Sequence, residues 1–289
     1  MDKKKIKAIF EIACLYTVVM FFIYFMGKYA SYIAYYVFAD PSNRSETYKS
    51  YAYLIMSVSL CFMLLFILYL YKLKLKDIIK FSKFNFGFVI RLVFIQLSMP
   101  FILNINSSKD ISLIFNSIKF WFEALQGKRL VIYQTLFKSQ IDLNSFMLMY
   151  IIIVGPIVEE IFYKHVIYDK LKTVTSVRIA AMITGLLFFC GHMPYYELKI
   201  NILSLLFLGL LTTYCYEKTN TVWTSIIIHS AYNAYVTFIP ITKLDLRILI
   251  YLTFFVTALV IITIDVIKYV KARKSFNLVQ PASLSESEK

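Results

Sequence analysis

Apolar residues do not alternate along this chain. They run in apolar blocks of about 16 to 24 residues with few or no charges, separated by segments in which most charged residues collect. A helix needs roughly 20 such residues to cross the hydrocarbon layer. Eight blocks qualify, at 8–27, 51–71, 86–105, 145–163, 179–197, 200–216, 221–240 and 248–267. The pattern predicts an all-α protein, a polytopic membrane helix bundle of about eight transmembrane helices. Between the third and fourth blocks, ISLIFNSIKFWFEAL predicts an interfacial helix with Phe115, Trp121 and Phe122 in the headgroup layer. The tail SFNLVQPASLSESEK is polar and is expected to be disordered, and no internal repeat is seen. The start, MDKKKIK, precedes an apolar run that ends in GKYASYIAYY without a small-residue cleavage site, so it reads as a retained first span.

Composition sharpens this picture. The chain is 60% hydrophobic and 18% aromatic with 17% charged residues, outside the range of soluble domains. Seven Gly and six Pro are too few for the turns of a β-barrel. A net charge of +14 would suit a nucleic-acid binder if it formed one basic face, but the Lys and Arg residues flank the apolar blocks, which excludes that partner and points to the lipid bilayer. With the N-terminus inside, nineteen basic residues fall on inner segments and eleven on outer ones, and Arg91 lies within the third block. The bias predicts a multi-pass protein of the cell membrane with both termini cytoplasmic. Cys14, Cys61, Cys190 and Cys215 all lie in apolar stretches, so no disulfide framework is implied.

An ionisable group inside a span costs roughly 2.5–3.5 kcal/mol on insertion, so each needs a reason to be there. The fourth block reads IIIVGPIVEEIFYKH, with Glu159 and Glu160 side by side after a Gly155-Pro156 pair that can bend or open a helix. At about 100° per residue neighbouring side chains diverge. Glu160 therefore lines up with Lys164 at i+4, while Glu159 points elsewhere and is available as a general base. His192, in LLFFCGHMPYY, and His229, in WTSIIIHSAYNAY, stand in the middle of their blocks. Phe188 is one turn before the first, and Asn233 one turn after the second. A His and an Asn one turn apart can aim two donors at a developing oxyanion, or form a plain interhelical clamp. His165 reads as solvated or headgroup-facing, and Glu11, Arg91 and Asp265 as snorkelling side chains. Along the blocks Glu159, His229 and His192 fall roughly 6, 12 and 20 Å from the inner edge, which predicts a site in the cytoplasmic half, reached by water from inside.

EEIFYK, FFCGH and HSAYN, in that order on three blocks, resemble the CPBP family of intramembrane proteases, the CAAX-protease and bacteriocin-processing (Abi-type) enzymes. That family's pattern is EExxxR, Phe-x-x-x-His and His-x-x-x-Asn or Asp, and GLLTTYCYEKTNTVWTSIIIHSAYN is similar to its connecting region. The resemblance divides the chain into N-terminal helices with an amphipathic loop (1–144), a CPBP-like catalytic core (145–240), and a last helix with a basic and polar tail (241–289). Lys164 stands where the family has Arg, which keeps the charge and loses the bidentate fork. The resemblance implies that Glu159 activates a water, that His192 helps to hold it, and that Glu160 and Lys164 support the base. It further implies that His229 and Asn233 stabilise the oxyanion and that Phe188 packs nearby. Glu159, His192 and His229 are also a donor set for a divalent metal such as zinc, although no HExxH is present and the same side chains can act without one. The expected function is an intramembrane endopeptidase acting on a membrane-associated peptide or protein near the cytoplasmic face. The Lys-, Ile- and Tyr-rich, Gly-poor composition favours a bacterial precursor, in bacteriocin or signal-peptide maturation or self-immunity, over a prenylated substrate. A non-catalytic membrane scaffold or immunity protein is the alternative. A transporter is disfavoured by the lack of an inverted repeat.

Overall fold

The structure, a computed structural model, describes residues 3–42, 44–78, 85–104, 112, 115, 119, 145–193, 201–238 and 244–279. Among these, secondary structure is entirely helical, in nine helices. They are α1 (Lys3–Phe38), α2 (Arg44–Leu70), the single turn α3 (Leu75–Ile78), α4 (Phe86–Asn104) and α5 (Ser145–Lys172). The others are α6 (Val177–His192), α7 (Asn201–Thr219), α8 (Val222–Phe238) and α9 (Leu244–Val279). Each apolar block of the sequence corresponds to one of the eight longer helices. Among the described residues, four stretches, Lys3–Phe38, Thr47–Leu70, Ser145–Lys172 and Ile248–Arg273, are long and apolar enough to cross a membrane. Ser112, Phe115 and Lys119 are helical and exposed, whereas Trp121, Phe122 and the polar tail beyond Val279 lie outside the described residues.

Block edges and helix ends differ most at α5. The sequence suggests a boundary at the charge of Lys164, but the helix continues to Lys172 because Lys164 is fully buried against Glu160 and is not a boundary group. Helix α6 ends at His192, five residues short of the expected end. Its start is fixed by Ser176, whose hydroxyl accepts the Ile179 N–H at 3.4 Å as an N-cap. The α7–α8 reversal takes two residues and uses Asn220 at φ 51°, a left-handed conformation that Asn tolerates.

The core lies between α1, α2, α4, α5, α6, α7 and α8, with Tyr163, Tyr168, Phe162 and Phe188 among its largest fully buried side chains. Small residues bring α6 against α7: a Cβ on Gly185 would lie 2.6 Å from Leu210, and one on Gly209 would lie 3.1 Å from the Gly185 carbonyl. Buried hydroxyls join α7 to α8, with Ser225 donating to the Thr212 carbonyl at 2.8 Å and Thr219 and Thr224 in contact at 2.9 Å. Three residues expected to snorkel also have partners: Arg91 of α4 pairs with Asp265 of α9 at 3.2 Å, and Glu11 of α1 pairs with Lys170 of α5. His165 is likewise not simply solvated: Nδ1 is 2.9 Å from the Tyr216 hydroxyl and 3.3 Å from Asp169.

Candidate active site

Helix α5 carries the two glutamates, and its backbone is unusual. Over Met149–Val154 and again over Ile161–Tyr168 it winds as a π-helix, with i→i−5 hydrogen bonds. The first of these segments ends where Gly155 donates its N–H to the Tyr150 carbonyl. Pro156 has no N–H, so the Ile151 carbonyl one residue on has no backbone donor. Asn233 of α8 supplies one: its Nδ2 donates to that carbonyl at 2.8 Å. The Gly-Pro pair thus opens the helix, and Asn233 closes the vacancy. A Cβ on Gly155 would meet the Tyr150 carbonyl at 3.0 Å, so the turn has little room for a side chain there.

Beyond this turn the two carboxylates diverge as expected. Glu160 is fully buried and bridges two groups: Oε2 lies 3.3 Å from the Lys164 ammonium, and Oε1 accepts from His229 Nδ1 at 2.9 Å. Lys164, also fully buried, lies 5.7 Å from the centre of the Phe188 ring. Glu159 points toward the imidazoles instead, with Oε2 3.3 Å from His192 Nε2 and 3.9 Å from His229 Nε2. His192 Nδ1 donates to the Phe188 carbonyl one turn back, at 2.8 Å. Nδ1 of each imidazole is thus engaged by a carbonyl or a carboxylate, and its Nε2 faces Glu159.

Phe188 holds this arrangement together. It is fully buried, and its ring centroid lies 4.5 Å from that of His192, 5.3 Å from His229 and 5.1 Å from Tyr163. The depths read along the blocks disagreed, yet donor atoms of Glu159, His192 and His229 lie within 4.8 Å of one another. Part of the disagreement came from ending α5 at Lys164, which set Glu159 too near the inner edge.

A cavity of 640 Å³ opens beside Glu159, bounded by α1, α2, α5, α6, α7 and α8. Its wall is mainly apolar, with Met20, Met56 and Met63, and includes Glu159, His192 and Asn233. Two residues not singled out in the sequence serve the site. Tyr16 of α1 and Tyr163 of α5 both donate to the Leu187 carbonyl, at 2.9 and 3.5 Å, in the turn that leads to His192. Gly191 makes this possible, since a Cβ there would lie 2.6 Å from the Tyr163 hydroxyl. The signal for Tyr163 and Gly191 was their place inside EEIFYK and FFCGH; nothing local marks Tyr16 among 23 tyrosines.

The donor set suits a divalent ion. Glu159 Oε2 is buried without a hydrogen-bond donor, two imidazole Nε2 atoms face it, and each imidazole is oriented through Nδ1 by a carbonyl or a carboxylate. That is the usual outer arrangement of histidine ligands. No curated protein and no solved structure matches this chain. Over residues 142–235, which hold all three motifs, it is similar to the family described as type II CAAX prenyl endopeptidase Rce1-like.

Proposed function

We propose that this protein is an intramembrane endopeptidase that hydrolyses a peptide bond through a water activated by Glu159. The observation that carries this reading is the convergence of the Glu159 carboxylate with His192 and His229 at the wall of a cavity, supported behind by Glu160 and Lys164. Glu159 takes a proton from the water as its oxygen bonds to the scissile carbonyl carbon. It then returns that proton to the leaving amide nitrogen as the C–N bond breaks. His192, fixed by the Phe188 carbonyl, holds the water. Asn233 has a second amide N–H beyond the one given to Ile151, and with His229 it supplies the donors for the oxyanion.

Charge balance makes the site's demand explicit. Lys164 neutralises one of the two carboxylates, which leaves one negative charge among Glu159 and the imidazoles in a dry setting. A proton on one imidazole or a divalent cation restores the balance. Glu159, His192 and His229 would hold a cation such as zinc, which when bound supplies Lewis-acid polarisation. The substrate class that fits is a membrane-associated peptide precursor, as in bacteriocin or signal-peptide maturation or self-immunity. The scaffold alternative rests on Lys164 replacing Arg; what speaks for the enzyme there is that Lys164 keeps the positive charge 3.3 Å from Glu160.

The test compares new peptide termini in host membranes, by mass spectrometry, between wild type and Glu159→Gln, each with and without a strong chelator. Fragments lost in the variant support the enzyme, and chelator sensitivity of those fragments supports the metal. Identical fragment maps would overturn the protease reading in favour of the scaffold.

A further inference from the structure

We infer that the end of the α1–α2 pair at which the two helices join binds the headgroup of a zwitterionic phospholipid, its phosphate at Lys28 and its ammonium against the ring faces of Tyr32 and Tyr36. A second cavity, of 500 Å³, lies there, walled chiefly by Lys28, Tyr29, Tyr32, Tyr35, Tyr36 and Tyr48. It shares no lining residue with the cavity beside Glu159, and the proposed hydrolysis does not use it. The local sequence builds it. Ala30 and Ala34, both fully buried, let α1 close against α2. Helix α1 then widens into a π-helix over Ala34–Phe38, within which the rings of Tyr35 and Tyr36 come to 5.0 Å at an angle of 75°. Tyr36 lies 4.6 Å from Tyr32 at 43°, and Tyr35 lies 5.7 Å from Tyr48 of α2 at 75°. Rings inclined so steeply to one another form the sides of a box rather than a stack.

Depth and charge select the ligand. The apolar stretch 8–27 of α1 covers about 30 Å at about 1.5 Å per residue, the thickness of the hydrocarbon layer, so Lys28 stands at its boundary and the tyrosines stand beyond it, at the level of the headgroups. A zwitterionic phospholipid carries its charges in that order, the phosphate next to the glycerol and the ammonium outermost. Among the described residues no carboxylate pairs with Lys28, and Asp40, the first acid after it in the chain, is occupied by the Ser42 N–H and hydroxyl at 2.8 and 2.7 Å. The ammonium meets the negative faces of the tyrosine rings, which attract a cation without neutralising it. An aromatic belt spreads its rings around the helices at the interface; here five tyrosines share one concavity with a lysine. Below the basin, Phe21, Phe25 and Tyr29 are exposed and follow one another at 4.3 and 5.7 Å along a single face of α1, a track along which an acyl chain lies. An anionic lipid without an ammonium satisfies Lys28 and leaves the box empty, whereas a zwitterion satisfies both.

The experiment titrates the full-length protein, delipidated in detergent micelles, with dioleoyl phosphatidylethanolamine or dioleoyl phosphatidylglycerol and counts bound lipid by native mass spectrometry. Wild type should bind the ethanolamine lipid about 10-fold more tightly than the glycerol lipid. Tyr32→Leu/Tyr36→Leu should make the two equal, Tyr32→Phe/Tyr36→Phe should keep the preference because the ring faces remain, and Lys28→Gln should weaken both lipids alike. Circular dichroism checks that each variant is folded, and the single variants Tyr32→Leu and Tyr36→Leu replace the double one should it unfold. Equal binding of the two lipids by wild type overturns the inference, as does a preference that survives in a folded Leu variant or is lost in the Phe variant. Displacement of the lipid by an equal concentration of glycerophosphoethanolamine would show a soluble ligand and overturn the assignment to a lipid. The readout needs no turnover, so its outcome is independent of the protease reading.

Discussion

Lys164 is the residue at which this chain departs from the family pattern, and its burial makes a quantitative expectation possible. Its ammonium is 3.3 Å from Glu160 Oε2, with both side chains fully buried. Two unit charges at that distance attract by about 5 kcal/mol at an effective dielectric constant of about 20. Most of that gain offsets the cost of withdrawing both ions from water, so the pair as a whole adds little; removing one partner is different, because the other is left buried without its counter-ion, at about 3–5 kcal/mol. Lys164→Met is therefore expected to lower the midpoint of thermal unfolding in detergent micelles, followed by circular dichroism, by about 6–20 °C, at about 2–4 °C per kcal/mol. Glu160→Leu alone should be similarly harmful, since it strands Lys164 and also deprives His229 Nδ1 of its acceptor. The double variant Glu160→Leu/Lys164→Met should lose less than the sum of the two, the signature of a coupled pair. A Lys164→Met midpoint within 2 °C of wild type, at about 1 kcal/mol or less, or strict additivity in the double variant, would refute the argument that this charge is buried and bound.

Further expectations concern the groups that orient the site. Gly191→Ala would place a Cβ 2.6 Å from the Tyr163 hydroxyl and so displace the turn before His192; hydrolysis should fall by about 10²-fold while helical content is retained. Adding Tyr163→Phe removes the clashing oxygen and should recover part of the loss, and no recovery would show that the clash is not the cause. Asn233→Ala leaves the Ile151 carbonyl without a donor and should cost about 1 kcal/mol of stability, visible as a midpoint 2–4 °C lower. If the second amide N–H also serves the oxyanion, hydrolysis should fall well beyond that destabilisation; a stable and fully active variant would remove Asn233 from both roles.

Much of this protein was determined by its sequence alone. Eight apolar blocks place the eight longer helices, because a bilayer leaves a helix as the way for a chain of this composition to satisfy its backbone. The i+4 spacing of Glu160 and Lys164 dictates that they pair and that Glu159 turns away, since helical periodicity fixes directions within one helix. Tertiary structure decided what lies across from each direction. Glu160 meets His229 from 69 residues away, Asn233 meets a carbonyl of α5 and Tyr16 reaches α6, and no local period encodes such partners. Boundaries failed where they were read from charge: a buried lysine resembles a helix end in sequence, and becomes a spanning residue once an anion is packed against it.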